Sequence, residues 1–227
     1  MKEAKISEIF VSLQGEGIYA GVKQVFVRFY GCNISCTFCD TKIDSYKTFT
    51  GDALMSKILR YEEPFHSISL TGGEPLFQAN FIKEFLEEYN KFYRKRIYLE
   101  TNGVLHQELS KVINYVDTIA MDFKLPSSTK GKSHWEEHRK FLEIAAEKEV
   151  FTKAVITPDT TAEDIAQMAD IVKKINPAIP IVLQPVFTPK AADRTSESSL
   201  ERFRRILEGS SKRVEIIPQM HKEWGVQ

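Results

Sequence analysis

Residues 25–41 read VFVRFYGCNISCTFCDT, a β-branched and aromatic segment that runs directly into three cysteines, Cys32, Cys36 and Cys39. The sequence contains no other cysteine. Such a segment is typical of a buried strand, and functional side chains of parallel α/β folds gather at the carboxyl ends of their strands. The stretch therefore predicts a strand that carries a cysteine-rich loop at its functional end.

The same alternation continues along the chain. Apolar runs of strand type alternate with longer segments of helical spacing, and no Gly/Ser-rich linker separates them. This order predicts parallel strands joined by crossover helices, which fit one open or partial barrel, a single-domain α/β fold. The predicted strands are residues 25–30, 67–71, 96–100, 118–123, 151–156 and 179–186. The predicted helices are residues 53–61, 81–93, 108–116, 135–148, 162–175 and 199–209.

Composition excludes several classes of protein. The 31 basic and 31 acidic residues cancel, so no global charge favours nucleic acid or an acidic membrane as a partner. The first ten residues, MKEAKISEIF, lack the apolar run of a signal peptide, and no later run approaches the ~20 residues that span a bilayer. An odd number of clustered cysteines is a poor disulfide framework. We expect a protein of the reducing cytoplasm.

The spacing C-x3-C-x2-C suits a metal centre with an open coordination position. A structural zinc site needs four ligands, and the nearest histidine in sequence, His66, lies 27 residues beyond Cys39. A zinc ion held by three thiolates and water, in an enzyme or in a non-catalytic zinc-binding or scaffold protein, stays an alternative. A [4Fe–4S] cluster usually takes four thiolates, so three would leave one iron for another molecule.

Distinctive polar groups also follow the later predicted strands. They are Thr71-Gly72-Gly73-Glu74-Pro75, Thr101-Asn102-Gly103, Asp122-Phe123-Lys124 and Gln184-Pro185. Taken singly, the first two groups are also ordinary turn signals, and Asp122 with Lys124 is also a plausible surface ion pair. Because parallel strands end at one edge of the sheet, we expect all these groups to converge on one mouth with the cysteine loop.

The first strand and the segment before it add candidate ligands. Gly15 and Gly17 flank Glu16, and Gln14 precedes them. The amide and carboxylate side chains of Gln14 and Glu16 could together hydrogen-bond a polar heterocycle. Arg28 shares one face of its strand with Phe26 and Tyr30, whereas Val25, Val27 and Phe29 form the apolar outer face. This alternation predicts that Arg28 points into the barrel. A buried arginine needs an anionic partner, and a substrate carboxylate would be bound in a bidentate manner.

Asp40 and Thr41 follow the last cysteine directly. A carboxylate and a hydroxyl at this position can coordinate a hard cation through oxygen. The alternative is an Asx-turn or helix-capping role for both side chains.

The cysteine spacing, with Phe38 at the aromatic position of C-x3-C-x-aromatic-C, resembles the signature of the radical S-adenosylmethionine (SAM) superfamily. The resemblance implies a partial (β/α)6 barrel with the cluster loop after the first barrel strand, and a [4Fe–4S] cluster on Cys32, Cys36 and Cys39. It also implies that the amino and carboxylate groups of SAM chelate the fourth iron. An electron from a donor such as flavodoxin or ferredoxin then cleaves SAM to a 5′-deoxyadenosyl radical, which abstracts hydrogen from the substrate.

Four segments, EIFVSLQGEG, VRFYGCNISCTFCDT, TGGEP and the final QMHKEWGVQ, closely resemble the 7-carboxy-7-deazaguanine synthase family within that superfamily. The resemblance implies a carbon–nitrogen lyase of queuosine and 7-deazapurine biosynthesis, with a homodimer as the usual assembly. Its substrate would be 6-carboxy-5,6,7,8-tetrahydropterin, which loses a hydrogen atom at C6, contracts its ring and releases ammonia to give 7-carboxy-7-deazaguanine. SAM would be regenerated.

The same resemblance assigns residues to roles. Residues 1–24 would form a substrate-binding extension and residues 210–227 a tail that closes the active site. Arg28 and Glu16 would be catalytic. Leu13, Gln14, Gly15, Arg28, Thr71 and Gln227 would bind the substrate, and Thr41 would ligate Mg²⁺. Phe38, Cys39, Asp40, Gly73, Glu74, Asp122, Phe123, Lys124, Gln184 and Pro185 would surround SAM.

Two features depart from this family pattern. Residues 121–141, MDFKLPSSTKGKSHWEEHRKF, are longer and more charged than the family implies after the fourth strand, and they are similar to the D-x-K strand of glycyl-radical-activating enzymes. The last residue is Gln227 where the family pattern has proline. The alternative function is therefore an activase that abstracts hydrogen from a glycine of a partner protein. The loop from Gln14 to Gly17 favours the pterin enzyme.

Overall fold

The structure is a computed structural model that describes residues 2–39, 44–188 and 194–226. Within these ranges, nine strands form one sheet. The strands are β1 (Glu3–Leu13), β2 (Lys23–Phe29), β3 (Lys47–Thr50), β4 (Ser67–Gly72), β5 (Arg96–Thr101), β6 (Thr118–Asp122), β7 (Glu149–Ile156), β8 (Ile181–Pro185) and β9 (Val214–Ile216). The helices are α1 (Gly51–Ile58), α2 (Ala79–Phe92), α3 (His106–Val112), α4 (Pro126–Thr129), α5 (Trp135–Ala145), α6 (Ala162–Ile175), α7 (Glu197–Glu208) and α8 (Met220–Trp224).

The sheet forms a partial barrel. Strands β2, β4, β5, β6, β7, β8 and β9 are parallel neighbours in that order, whereas β1 runs antiparallel to β2 and to β3. The sheet is not closed, because β3 and β9 remain its two edges. The prediction of an α/β partial barrel with six strand–helix units is confirmed. The list of predicted elements lacks the long antiparallel strand β1, the short strands β3 and β9, and the short helices α4 and α8.

Helices cover the outer face of this barrel. Val25, Val27 and Phe29 of β2 are fully buried in the main core, together with apolar side chains of the covering helices. Burial of a side chain of this size contributes about 1.5–3 kcal/mol. The alternation read from the sequence is therefore confirmed for the outer face of β2.

Helix α6 shows how local sequence sets an element's limits. Thr161 caps it by accepting a hydrogen bond from the Asp164 amide at 3.3 Å. An acidic first turn and the basic pair Lys173 and Lys174 in the last turn complement the helix dipole. The helix accordingly begins and ends at the predicted residues, 162 and 175.

The inner face carries an apolar layer near the amino ends of the strands. Tyr98, Ala120, Phe151 and Val182 form this layer on β5 to β8, and Ile18 packs against it. Ile18 belongs to a short 3-10 helix (Gly17–Tyr19) that follows β1. The segment after β1 thus covers the inner face of the barrel near the amino ends of these strands, and we call this apolar layer the floor.

Helices α2 and α6 each have 14 residues. Among the described residues, no helix has both the length and the apolar character that crossing a bilayer requires.

Candidate active site

The cysteine loop follows β2 at the carboxyl edge of the parallel strands. Cys32 and Cys39 are exposed, Cys36 is half-buried, and none of the three forms a disulfide. Burial raises the pKa of the Cys32 and Cys36 thiols. Among the described residues, no three His, Cys, Asp or Glu side chains are gathered where one metal ion would hold them. Three thiols that form no disulfide, on a half-exposed loop, fit a [4Fe–4S] cluster, to which each would supply one thiolate.

The glycine-rich turn after β4 packs directly on this loop. The Glu74 amide donates to the Gly31 carbonyl at 2.8 Å. A Cβ atom placed on Gly73 would lie 2.1 Å from the same Gly31 oxygen, and one on Gly72, at φ +128°, would lie 2.3 Å from the Phe29 oxygen. Both glycines are therefore required by backbone contact, which a bare turn signal does not imply.

Glu74 lies beneath that turn and is fully buried. Its carboxylate accepts hydrogen bonds from the Asn102 amide at 2.7 Å, the Thr101 hydroxyl at 2.9 Å and the Leu76 amide at 3.0 Å. Burial raises the pKa of Glu74 to about 7, although these hydrogen bonds oppose the shift. Glu74 thus joins the ends of β4 and β5. Its predicted contact with SAM stays a prediction.

Asn102 connects the next strand end to the cysteines. Its side-chain nitrogen Nδ2 donates to Asn33 Oδ1 at 2.7 Å and lies 3.9 Å from Cys32 Sγ. Thr101-Asn102-Gly103 is therefore part of the site as well as a turn.

Asp122 and Lys124, at the end of β6, form an ion pair at 2.8 Å, with side chains only 9% and 15% exposed. The surface-pair alternative is therefore wrong. Lys124 Nζ also lies 5.5 Å from the centre of the Phe38 ring in the cysteine loop. Asp122 Oδ1 and Gln184 Oε1 are buried and have no hydrogen-bond partner in the described structure. Two buried polar atoms without protein partners fit a polar ligand such as SAM.

Phe123 and Pro185 were also predicted to surround SAM, and the contact of Pro185 with SAM stays a prediction. Phe123 faces the outer core, with its ring 4.9 Å from the His138 ring. Pro185 ends β8 opposite Ile156. A contact between the Phe123 side chain and SAM is therefore incompatible with this arrangement, and only its backbone faces the strand end.

Lys153 on β7 was missed by the sequence analysis. Its ammonium forms an ion pair with Glu16 and lies 3.6 Å from Asp122 Oδ2. Gln219 also donates to Glu16, at 2.8 Å. Burial alone would raise the pKa of Glu16, but Lys153 outweighs it and lowers that pKa to about 2. The signal for Lys153 was a lysine at an inward position of the otherwise apolar run FTKAVI.

Glu100 was also missed. It accepts hydrogen bonds from the Gln14 amide at 2.6 Å and from the Thr71 hydroxyl at 2.8 Å. The Gln14 side-chain nitrogen also donates to Gln24 Oε1 at 3.1 Å, and the Gln14 side-chain oxygen accepts from the Glu16 backbone amide at 3.1 Å. The Gln14 side chain therefore holds the loop in place through bonds that a ligand would have to exchange. Substrate contacts of Gln14 and Thr71 stay predictions.

Arg28 has the anionic partner that its burial requires, but a protein residue supplies it. Glu8, opposite Arg28 in the β1–β2 pairing, accepts a hydrogen bond from the guanidinium at 2.6 Å. The guanidinium also lies 5.1 Å from the centre of the Phe10 ring. The sequence predicts a substrate carboxylate as the partner of Arg28, and that contact stays a prediction, because the pairing of β1 with β2 supplies Glu8 in this structure.

The C-terminal segment packs on the loop after β1. The Met220 amide donates to the Gly15 carbonyl at 2.8 Å, and a Cβ on Gly15 would lie 2.3 Å from His221 Nδ1. Leu13 does not face this loop. Its exposed side chain lines a cavity of about 630 Å³ at the amino end of β2, together with Val226. The structure does not bring the Leu13 side chain to the other predicted residues. Asp40, Thr41 and Gln227 lie outside the described residues.

Comparisons with known proteins agree with this site. Residues 26–172 match the Radical SAM superfamily. The chain is 33% identical to a 7-carboxy-7-deazaguanine synthase of Geobacter sulfurreducens, over 98% of this chain and 97% of that one. It is 33% identical to the enzyme of the same name from Archaeoglobus fulgidus, over 99% of each chain.

The chain belongs to the 7-carboxy-7-deazaguanine synthase family, within the radical SAM superfamily. Its fold resembles the crystal structure of QueE from Escherichia coli, with a TM-score of 0.66, 19% identity and coverage of 96% of this chain and 95% of that one. It also resembles a radical SAM methyltransferase from Sphaerobacter thermophilus, with a TM-score of 0.61, 16% identity and coverage of 88% and 67%. Family membership and fold therefore agree with the cysteine spacing.

Proposed function

We propose that the chain converts 6-carboxy-5,6,7,8-tetrahydropterin to 7-carboxy-7-deazaguanine and ammonia in queuosine and 7-deazapurine biosynthesis. The observation that carries the proposal is the cysteine loop next to a group of buried charges on the inner face of the barrel, in a member of this family. The hydrogen atoms of the substrate equal those of product plus ammonia. The overall reaction therefore consumes no electron.

Cys32, Cys36 and Cys39 would hold the [4Fe–4S] cluster, and Asp122, Lys124 and Gln184 would line the SAM site. The cluster and SAM together supply the hydrogen-abstracting radical. Lys124 brings a cation to the edge of this site, where it can pair with a carboxylate, and Asp122 Oδ1 offers a free acceptor. The Gly72 and Gly73 backbone keeps the turn close to the cysteines.

The pterin would lie inside the barrel, beneath the cysteine loop. Glu100 and Glu16 offer acceptors for the amino and ring N–H groups of a pterin, and the floor around Ile18 excludes water from below. Arg28 would exchange its single contact with Glu8 for the substrate carboxylate, because a bidentate arginine–carboxylate pair is stronger. The C-terminal segment would close over Gly15.

Finer assignments belong to the same proposal and rest on the family resemblance. Thr41 would ligate Mg²⁺, with Asp40 beside it, and Mg²⁺ would act as a Lewis acid on the substrate carboxylate. Gln227 would contact the substrate. We also propose a homodimer, with flavodoxin or ferredoxin as electron donor, and a location in the cytoplasm.

Turnover tests this function. Anaerobically reconstituted protein is incubated with SAM, reductant, Mg²⁺ and the carboxypterin, and the products are separated and identified by mass and by deazapurine absorbance. We expect 7-carboxy-7-deazaguanine, with none from a Cys36→Ala variant. Release of 5′-deoxyadenosine without any deazapurine would favour the activase instead. A colourless protein with stoichiometric zinc would favour the zinc-binding or scaffold alternative.

A further inference from the structure

Lys153 is a buried cation in contact with acidic groups from different parts of the chain. Its side chain is 10% exposed, it forms an ion pair with Glu16, and it lies 3.6 Å from Asp122 Oδ2. Burial disfavours its charged form, but Glu16, Asp122 and Glu100 outweigh that effect and raise the pKa of Lys153. The ammonium therefore stays charged, and we call Glu16, Lys153 and Asp122 the lysine bridge.

The two ends of the lysine bridge belong to different binding regions. Glu16 lies in the loop after β1, beside Gln14, whose amide reaches Glu100. Asp122 ends β6 and pairs with Lys124, which lies over the Phe38 ring of the cysteine loop. Under the proposed function, the first end faces the pterin and the second faces SAM.

Sharing one ammonium makes the two ends interdependent. A ligand that fixes Glu16 also fixes Lys153, and Lys153 together with Lys124 determines where the unpartnered Oδ1 of Asp122 points. Without Lys153, Glu16 would lose its ion-pair partner and Asp122 would keep only Lys124. Loss of the partner is costly for a partly buried carboxylate, and the two ends would no longer share a cation.

We propose that Lys153 is a positioning residue that couples the pterin loop to the SAM-binding strand end, so that each ligand strengthens the binding of the other. This inference rests on the proposed function for the identity of the two ligands. Coupling of this kind is reciprocal, and it typically changes affinity by about 5- to 150-fold.

Binding measurements without turnover test the coupling. The SAM dissociation constant is measured by anaerobic titration calorimetry on cluster-loaded protein, with and without saturating 6-carboxytetrahydropterin, and without reductant so that SAM stays intact. For the wild type we expect the pterin to tighten SAM binding by at least about 5-fold, and SAM to tighten pterin binding by the same factor. In Lys153→Met we expect this factor to fall below about 2.

Controls separate coupling from general damage. Lys174→Met removes a lysine from a surface ion pair with Asp170, where the lysine side chain is 71% exposed, so it should keep the wild-type factor. Lys153→Arg should restore part of the coupling. If Lys153→Met does not take up a cluster, Glu16→Gln removes the Lys153–Glu16 ion pair instead. The coupling factor should then also fall below about 2.

Each outcome decides between the alternatives. A purely structural role would weaken both ligands and lower the melting temperature while leaving the coupling factor unchanged, which would overturn the inference. Wild-type protein that binds both ligands independently would overturn it as well, with the proposed function intact. Wild-type protein that binds SAM but no pterin would contradict the proposed function itself.

Discussion

His138 shows how one buried residue organises a strand end. Its Nε2 lies 3.1 Å from the Asn102 carbonyl, its ring contacts Phe123, and its Nδ1 is buried without a partner in the described structure. The short contact to a carbonyl makes Nε2 the protonated nitrogen. His138 therefore holds the turn next to Cys32 from behind.

This burial predicts a pH dependence of stability. Desolvation lowers the pKa of His138 from an ordinary value of 6.5 to about 3. The unfolded chain therefore binds a proton between these values when the folded chain does not. Stability from this group is complete above pH 6.5 and falls towards pH 3, by at most about 1.4 kcal/mol per pH unit. Melting temperatures should fall more steeply from pH 7 to 5.5 in the wild type than in His138→Gln. Parallel curves would refute this assignment.

Gly73 allows a second test at the same scale. A methyl group there would meet the Gly31 carbonyl at 2.1 Å, so Gly73→Ala must push the turn away from the cysteine loop. We expect lower iron content after anaerobic purification and a loss of about 1–3 kcal/mol in unfolding free energy, as for other overpacked sites. Gly209→Ala is the matched control, because nothing lies within 4 Å of a Cβ at that position. Equal iron content in both variants would contradict the expected clash.

At the scale of elements, the charged segment after β6 has a structural explanation. Helix α4 presents its last carbonyls to the cysteine loop, since the Thr37 hydroxyl donates to Ser128 at 3.3 Å and the Thr37 amide to Thr129 at 3.4 Å. The Asp164 carboxylate accepts from the Ser127 amide at 2.8 Å and ties α4 to α6. The segment that resembled an activase strand thus supports the cysteine loop from outside, a role compatible with either substrate.

The C-terminal segment gives a prediction for a whole element. Residues 218–227 include α8 and the groups that contact Gly15 and Glu16. A chain that ends at Ile217 keeps β9, so we expect SAM cleavage to persist. We expect the KM for the carboxypterin to rise by at least about 10-fold, which is the effect of losing one or two hydrogen bonds to a charged group. Steady-state kinetics of product and 5′-deoxyadenosine measure the two effects separately. An unchanged KM would show that the segment has no part in substrate binding.

Elements were predictable where their signal is local. Six strands and the capped helix α6 follow from periodicity and capping residues, because the pattern itself decides which face is buried. Strands β3 and β9 are short, with four and three residues, and only their pairing with β1 and β8 defines them. A pairing partner far away in sequence leaves no trace in a short segment.

At the scale of the whole molecule, the inner surface of the barrel is layered. Tyr98, Ala120, Phe151 and Val182 form the apolar floor. Two residues further along the same four strands stand Glu100, Asp122, Lys153 and Gln184. Since inward positions of a strand recur every second residue, the sequence steps from an apolar layer to a polar one on each strand. The cysteine loop lies beyond the polar layer.

This layering explains how much of the site the sequence could predict. Asp122 and Gln184 were found because they stand at strand ends, where ligands are expected. Lys153 was missed because a lone charge within a strand does not reveal its partners. Glu100 stands at the end of its predicted strand, but its partners Gln14 and Thr71 are far away in sequence. Glu16 and Lys153 are brought together only by the fold. Glu8 beside Arg28 was hidden for the same reason.

The most direct test of the account is the electron paramagnetic resonance spectrum of the reduced, anaerobically purified protein, recorded before and after addition of SAM. We expect a reduced [4Fe–4S] signal, from about four iron atoms per chain, that changes shape when SAM binds the iron without a cysteine ligand. A protein without iron, or a cluster signal that SAM leaves unchanged, would contradict it.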